Sequence, residues 1–453
     1  MSLFGTAGIR GKTADQITPT LALRVGKAIG NQAASDGTAV AVGRDGRITG
    51  PALLQAVAAG VVSAGAVVEQ LDMVPTPTLA FASRGQYGVM VTASHNPPQD
   101  NGLKLFHDGM ELSAQQEAEI EELVTTSPDP ASWENWTCPS QRDVTDTYID
   151  TVISAAARFG ASPDGMHVAI DCANGVAARA TPSVLRQLGA TVHAVNSHID
   201  GHFPGRGSKP TPESLESFRQ FVANQAIEFG IAHDGDGDRI VIINSDGDII
   251  HEDTILAILA GEYVNMSSAD SPVVLTTPNT SARVDSIVEE NGGHTRRVSL
   301  GALHEGLLSL RDAGESVAFA AEPWKHIHPY IGDWIDAIAS AAILTRLISV
   351  TPLSERRQSV PERPYRKESI ACPDEKKKTA MTAVSSAVSE SFDEAMIETT
   401  HGIRATFPDE SWFLVRPSGT ESYLRIYIES PSVESLTEEV STLVRRAVAR
   451  VNK

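Results

Sequence analysis

Three carboxylates at alternate positions, Asp234-Gly-Asp-Gly-Asp238, followed by Arg239 and the apolar run Ile240-Val-Ile-Ile243, constrain this chain more than any other stretch. Like charges about 4 Å apart cost roughly 4 kcal/mol per pair at an effective dielectric of about 20, so the trio calls for a cation beside it. All-oxygen ligation suits Mg2+ or Ca2+ rather than zinc. An EF-hand is excluded, because Arg239 stands where that loop needs glycine and Ser245 where it needs a bidentate glutamate. The apolar run reads instead as a buried strand, which places the acidic loop at a strand end. An acidic solvated turn is the plain alternative.

Around that loop the pattern is one of repeated α/β units. Helical stretches that end at glycine and lead into short β-branched runs recur at 61–68, 185–192 and 290–298. Strand candidates at 40–43, 88–92, 167–171 and 272–276 alternate with helices, which predicts mostly parallel, helix-covered sheets. A chain of 453 residues has room for three or four domains. Pro-rich or polar segments at 127–141, 162–165 and 351–366 punctuate it and place domains at 1–150, 151–250, 251–360 and 361–453. The last reads as a small α+β module, with a charged helix at 374–391, strands around 395–430 and a final helix at 432–450.

A formal charge of −20 disfavours binding of nucleic acid or anionic lipid through a general basic surface. The acidic excess is spread along the chain, which predicts adaptation to high salt, where self-repulsion is screened. No stretch approaches the roughly 20 apolar residues of a membrane span, and Met1-Ser-Leu-Phe-Gly-Thr lacks the basic and apolar regions of a secretion signal. The chain is therefore expected to be soluble and cytoplasmic. Cys138, Cys172 and Cys372, odd in number and without metal-type spacing, are expected to be reduced thiols.

Four further stretches carry chemistry. Thr92-Ala-Ser-His-Asn-Pro97 follows an apolar strand, so Ser94 belongs on a polar loop of the kind that holds ligands in α/β sheets; a capped turn is the alternative. Arg416-Pro-Ser-Gly-Thr420, with Arg425, offers hydroxyls, backbone N–H groups and guanidinium groups to a phosphate dianion, or is a plain turn with structural arginines. Phe4-Gly-Thr-Ala-Gly-Ile-Arg-Gly11-Lys12 is no P-loop, since the glycine spacing is wrong and no strand precedes it, but Arg10 remains a candidate anion ligand. Gly43-Arg-Asp-Gly-Arg47 reads equally as charge held near a site or as a surface turn. Glu322 and His326 could bond the hydroxyls of a polar ligand or form a buried pair.

Taken together and in this order, these stretches resemble the signatures of the α-D-phosphohexomutase family of phosphoglucomutases, phosphomannomutases and phosphoglucosamine mutases. The resemblance covers essentially the whole chain, with Asp171-Cys-Ala-Asn-Gly175 and Gly201-His-Phe-Pro-Gly-Arg206 as further matching stretches. It implies three related mixed-sheet α/β domains and a smaller C-terminal α+β domain around a central cleft. By resemblance Ser94 would be a phosphoserine whose phosphate holds one Mg2+ with Asp234, Asp236 and Asp238, and Arg239 would lie beside it. Arg10, His95 and Lys104 would surround that centre, with Lys104 moving protons at a lowered pKa. Arg416, Ser418, Gly419, Thr420 and Arg425 would grip the phosphate that is not reacting, while Glu322 and His326 would read sugar hydroxyls.

The implied reaction interconverts 6- and 1-phosphates of a hexosamine or hexose through a sugar 1,6-bisphosphate that turns round in the cleft. The implied partners are small sugar phosphates, with no nucleic acid or membrane, for a monomer or homodimer. Length and the N-terminal Gly-Thr-Ala-Gly-Ile-Arg-Gly resemble the phosphoglucosamine mutase branch; phosphomannomutase/phosphoglucomutase activity is the alternative, and a non-catalytic sugar-phosphate-binding protein the alternative of another class. Two stretches depart from the family pattern. Ala321-Glu-Pro-Trp-Lys-His326 stands where many relatives have Gly-Glu-x-Ser-Gly-His, and Ser299-Leu-Gly-Ala-Leu-His304 lacks the basic residue often found after that glycine.

Overall fold

The computed structural model describes residues 3–5, 8–419 and 422–452. Their strands form four sheets, and the first three share one plan. In the first, Ala39–Arg44, Val67–Met73 and Tyr87–Val91 run parallel, and Asp100–His107 returns antiparallel beside Tyr87–Val91. In the second, Thr191–Val195, His167–Asp171 and Phe229–His233 are parallel and Ile240–Asn244 returns. In the third, His294–Arg297, Val273–Thr276 and Val317–Glu322 are parallel and Lys325–Ile327 returns. Each sheet is therefore mixed, three parallel strands with an antiparallel return, and in the first sheet Ile9–Lys12 pairs antiparallel outside that return.

That shared plan positions the chemistry. In all three units the loop from the last parallel strand to its antiparallel neighbour, at 92–99, 234–239 and 323–324, carries one of the sequence motifs. It leaves the carboxyl end of a parallel strand, where α/β sheets open onto their ligands. The central parallel strands are the apolar ones because helices cover both faces; Val40, Ala41 and Val42 are each 0% exposed, whereas the outer strand His294–Arg297 is polar. Helix Pro19–Asp36 begins at Thr18, whose hydroxyl accepts the Leu21 N–H, and ends at Gly37 with φ 67°. It packs against helix Gly50–Ser63 so closely that a Cβ on Gly26 would meet the Val57 carbonyl at 2.2 Å.

The fourth sheet, Tyr365–Ala371 with four strands between Met396 and Glu429, is antiparallel throughout and backed by helices Lys377–Ser391 and Val433–Asn452. It has its own apolar core, including Ile370, Phe413, Ile426 and Val444. One continuous core instead runs through the first three units, joining Leu71, Phe81, Tyr148, Phe229, Tyr263 and Phe319. The C-terminal domain thus has a core of its own, and it meets the body through polar contacts such as Glu429 with Ser281. The first sheet extends to Ser140–Gln141, and a boundary at 150 would cut helix Thr145–Ala156. All three cysteines are free thiols, and no helix among the described residues is long and apolar enough to cross a membrane.

Candidate active site

Ser94 is fully buried at φ 50°, a left-handed backbone uncommon outside glycine, and long-range contacts hold it there. Its N–H donates to Thr92 Oγ1 at 2.8 Å, and its carbonyl accepts from Arg47 Nη2 at 2.8 Å. Arg47, 0% exposed, also donates to the carbonyls of Asn96, Pro97 and Asp100 and to Asp45 Oδ2, so one guanidinium fastens the whole 94–100 loop. The surface-turn alternative for 43–47 is thereby overturned. Ser94 Oγ donates to Asp234 Oδ2 at 2.7 Å, with His95 Nδ1 at 3.4 Å from the same oxygen.

Asp234, Asp236 and Asp238 each present a carboxylate oxygen, all within 4.8 Å of one another, and all three side chains are buried. Gly235 lets this loop touch the first unit, since a Cβ there would lie 2.7 Å from the Ser94 carbonyl. From below, Arg206 pairs with Asp171 at 2.9 Å and donates to the His233 carbonyl at 2.6 Å, while Thr76 Oγ1 donates to Asp236 Oδ2 at 2.7 Å. Burial and the two neighbouring carboxylates push the Asp234 carboxyl well above its ordinary range. Asp236 Oδ1 and Asp238 Oδ1 are buried without a hydrogen-bond partner among the described residues. Unpartnered hard oxygens in a mutually repelling trio beside a serine hydroxyl fit a small divalent ion such as Mg2+.

Lys104 Nζ lies 3.0 Å from Asp236 Oδ2 and 2.5 Å from Asp238 Oδ2. Burial alone would lower its pKa, as expected from sequence, but those two carboxylates raise it above the ordinary lysine value. Lys104 is therefore held as an ammonium, which corrects the expectation of a lowered pKa. Burial, together with the charges of Arg239 and Arg10, brings His95 down to about 2, so its ring is neutral. The Arg239 Nε is 3.9 Å from both Asp234 Oδ2 and Asp238 Oδ1.

Arg10, His95 and Arg239 line one end of a cavity of about 360 Å3, with Ser94 and the aspartates immediately behind them. The turn at 323–324 and its flanking residues form a wall. Glu322 and Lys325 are cross-strand partners, both face the cavity, and their side chains pair at 3.1 Å. His326, one residue on, alternates to the other side of the strand; it is 1% exposed, hydrogen-bonds Ser340 Oγ at 2.9 Å and does not line the cavity. The structure thus brings Glu322 to the cleft and leaves His326 in the core, where burial lowers its pKa to about 3. Trp324 sits at the turn with φ 68°, and its carbonyl accepts the Ile240 N–H at 3.2 Å, which ties this turn to the residue after Arg239.

The far end belongs to the C-terminal domain. Arg416, Ser418, Gly419 and Arg425 all line the cavity, and Thr420 lies outside the described residues. Arg416 and Arg425 are directly opposed on neighbouring strands, so two guanidinium groups reach the cavity side by side. Arg425 Nη1 donates to Ser369 Oγ at 2.5 Å, and Arg416 Nη2 to Tyr427 OH at 3.3 Å. Sequence reasoning did not single out Glu111, Lys209 or Lys367, which also line the cavity, nor Thr76. Each is an isolated residue without a local motif, and only tertiary placement reveals it.

Residues 1–130, 146–247 and 369–446 match domain I, domain II and the C-terminal domain of phosphoglucomutase/phosphomannomutase. The chain belongs to that family. As a member of it, the protein is an intramolecular phosphotransferase, a mutase. This phosphoglucomutase/phosphomannomutase family member is 37% identical over 460 residues to a protein named phosphopentomutase from Thermococcus kodakarensis, covering 100% of this chain and 99% of that one. It is also 37% identical to a probable phosphoglucosamine mutase from Methanopyrus kandleri, covering 99% of each. Among solved structures it resembles a phosphoglucomutase/phosphomannomutase family protein from Burkholderia thailandensis, with TM-score 0.85, 25% identity, and 100% and 98% of the two chains covered.

Proposed function

We propose that this mutase carries its phosphate on Ser94 and, with Mg2+, interconverts the 6- and 1-phosphates of a hexosamine or hexose through a bisphosphorylated sugar. Glucosamine phosphate is the first substrate to test, and mannose and glucose phosphates come next. The observation that carries the reading is the 2.7 Å contact between Ser94 Oγ and Asp234 Oδ2 across two domains, at one end of a cavity whose other end holds Arg416 and Arg425. One reactive centre and one remote phosphate grip are what a turning bisphosphate needs.

In this reading the phosphoryl group passes from Ser94 Oγ to the free sugar hydroxyl, whose proton is balanced by the one Ser94 Oγ takes up, and after the sugar reorients the other phosphate returns to Ser94 with the protons moving in reverse. The Ser94 phosphate with Asp234, Asp236 and Asp238 would hold Mg2+, which offsets phosphoryl charge when bound. Arg10 and Arg239 add positive charge on the cavity side, and Lys104 enters as a proton-transfer group in its ammonium form, a donor. Glu322 orients a sugar hydroxyl, with its own carboxylate fixed by Lys325. Arg416, Ser418, Gly419, Thr420 and Arg425 grip the phosphate that is not reacting.

Intact-mass analysis tests the first step: a gain of about 80 Da localised to Ser94 is expected. A coupled assay with glucosamine, glucose, mannose and pentose phosphates, primed by a sugar bisphosphate, tests the second; the Thermococcus relative's name makes the pentose arm necessary. Activity that survives Ser94→Ala would overturn the phosphoserine route. Absence of turnover on every sugar would leave a binding protein.

A further inference from the structure

Two ammonium groups that line the cleft, Lys209 and Lys367, are not used by the reading above, and Lys367 is the one held by a partner from another domain. Lys367 lies on strand Tyr365–Ala371, directly opposite Tyr427, and Ser369 lies opposite Arg425. Side chains two apart on a strand share a face, so Lys367 stands on the same face as Ser369 and Arg425, and all three line the cavity. Its Nζ pairs with Glu252, the first residue of helix Glu252–Met266, and lies 5.2 Å from the centre of the Trp324 ring. Burial would lower the Lys367 pKa, but Glu252 raises it, so the group stays charged.

These contacts hold the ammonium without using it up. A lysine carries three N–H donors, of which the Glu252 carboxylate takes one and the indole face shields another side. Glu252 is 11% exposed whereas Lys367 is 39% exposed, so the open flank of the pair is the lysine's. Trp324 is itself fixed by its left-handed turn and by the Ile240 hydrogen bond, which makes its ring a rigid backstop.

We propose that Lys367 is a substrate-contacting residue, a further cation of the C-terminal phosphate grip, kept in place by Glu252 and the Trp324 face. Its ligand is the phosphate monoester dianion seated beside Arg416 and Arg425, so the inference rests on the sugar-phosphate reading of the cleft. Because Lys367 belongs to the C-terminal domain while Glu252 and Trp324 belong to the body, a phosphate that engages it also pulls the two together.

The test titrates the full-length protein calorimetrically with inorganic phosphate and, separately, with glucose 1,6-bisphosphate, alongside steady-state assays. Lys367→Met is expected to weaken both ligands about 10- to 100-fold and to raise KM more than it lowers kcat. Lys367→Arg should recover most of the loss, and Glu252→Gln should weaken binding less than about threefold, since the ammonium remains. If Lys367→Met and Glu252→Gln behave alike, lowering thermal stability or kcat with affinities unchanged, Lys367 is only a domain tie and the proposal falls. A loss confined to the bisphosphate would place the contact on the sugar and also overturn it. A wild-type protein that binds the bisphosphate yet turns over no sugar phosphate would sink the mutase reading alone, because the binding comparison still decides this one.

Discussion

The two ends of the cleft are built on opposite terms. At the Ser94 end the serine and the three aspartates are 0–1% exposed, and one buried arginine bonds four carbonyls of the serine loop. At the other end, Arg416 is half-buried and Gly419 exposed, in a domain with its own core. Under the proposed reading the contrast would be a division of labour, with fixed atoms for transfer and an adaptable grip for either phosphate of a turning sugar.

The largest test of that contrast is Asp236→Asn, which should cut turnover on the order of 10³-fold while leaving the fold intact, measured by the coupled assay and circular dichroism. Arg47→Met comes next. It strands the fully buried Asp45 carboxylate and should cost about 3–5 kcal/mol in urea unfolding, against less than about 0.5 kcal/mol for Arg416→Met. Equal losses would erase the difference between a fixed end and an adaptable one. Arg416→Ala should then raise KM about 10- to 100-fold through loss of a charge-assisted phosphate contact; a larger effect on kcat than on KM would show that the far end also acts in the transfer itself.

The smallest effect lies where the two parts meet. Burial first, and the Glu252 charge second, push the Asp253 carboxyl up to about 7. A folded-state pKa raised above the unfolded value of about 3.9 favours folding in acid, and that advantage is lost as pH climbs through 7. The stability of Asp253→Asn relative to wild type should therefore improve by about 1–2 kcal/mol between pH 5 and pH 8, followed by thermal unfolding. A difference independent of pH would show that the carboxyl is not held protonated.

The acidic loop, the Ser94 loop and the C-terminal hairpin were legible in the sequence because each packs its chemistry into six or so consecutive residues at a strand end. The central parallel strands were legible as apolar runs, but polar outer ones such as His294–Arg297 carry no such signal, and the antiparallel direction of 240–244 was not legible because it has the same Ile/Val composition as a parallel strand. Arg47 could not be separated from a surface turn, because its acceptors lie about fifty positions away. The charge state of Lys104 depends on Asp236 and Asp238, brought to it from another domain. His326 kept the expected spacing from Glu322 and still turned away, because two-residue alternation beyond a tight hairpin puts Lys325 on the cleft side.

The Ile240 N–H to Trp324 carbonyl bond joins the edge of the second sheet to the hairpin of the third. If the proposed reading holds, a sugar bound against Glu322 would press on a hairpin already bonded to the first residue of the strand that follows the aspartates. Choosing the molecule and aiming the phosphoryl group would then be one mechanical event.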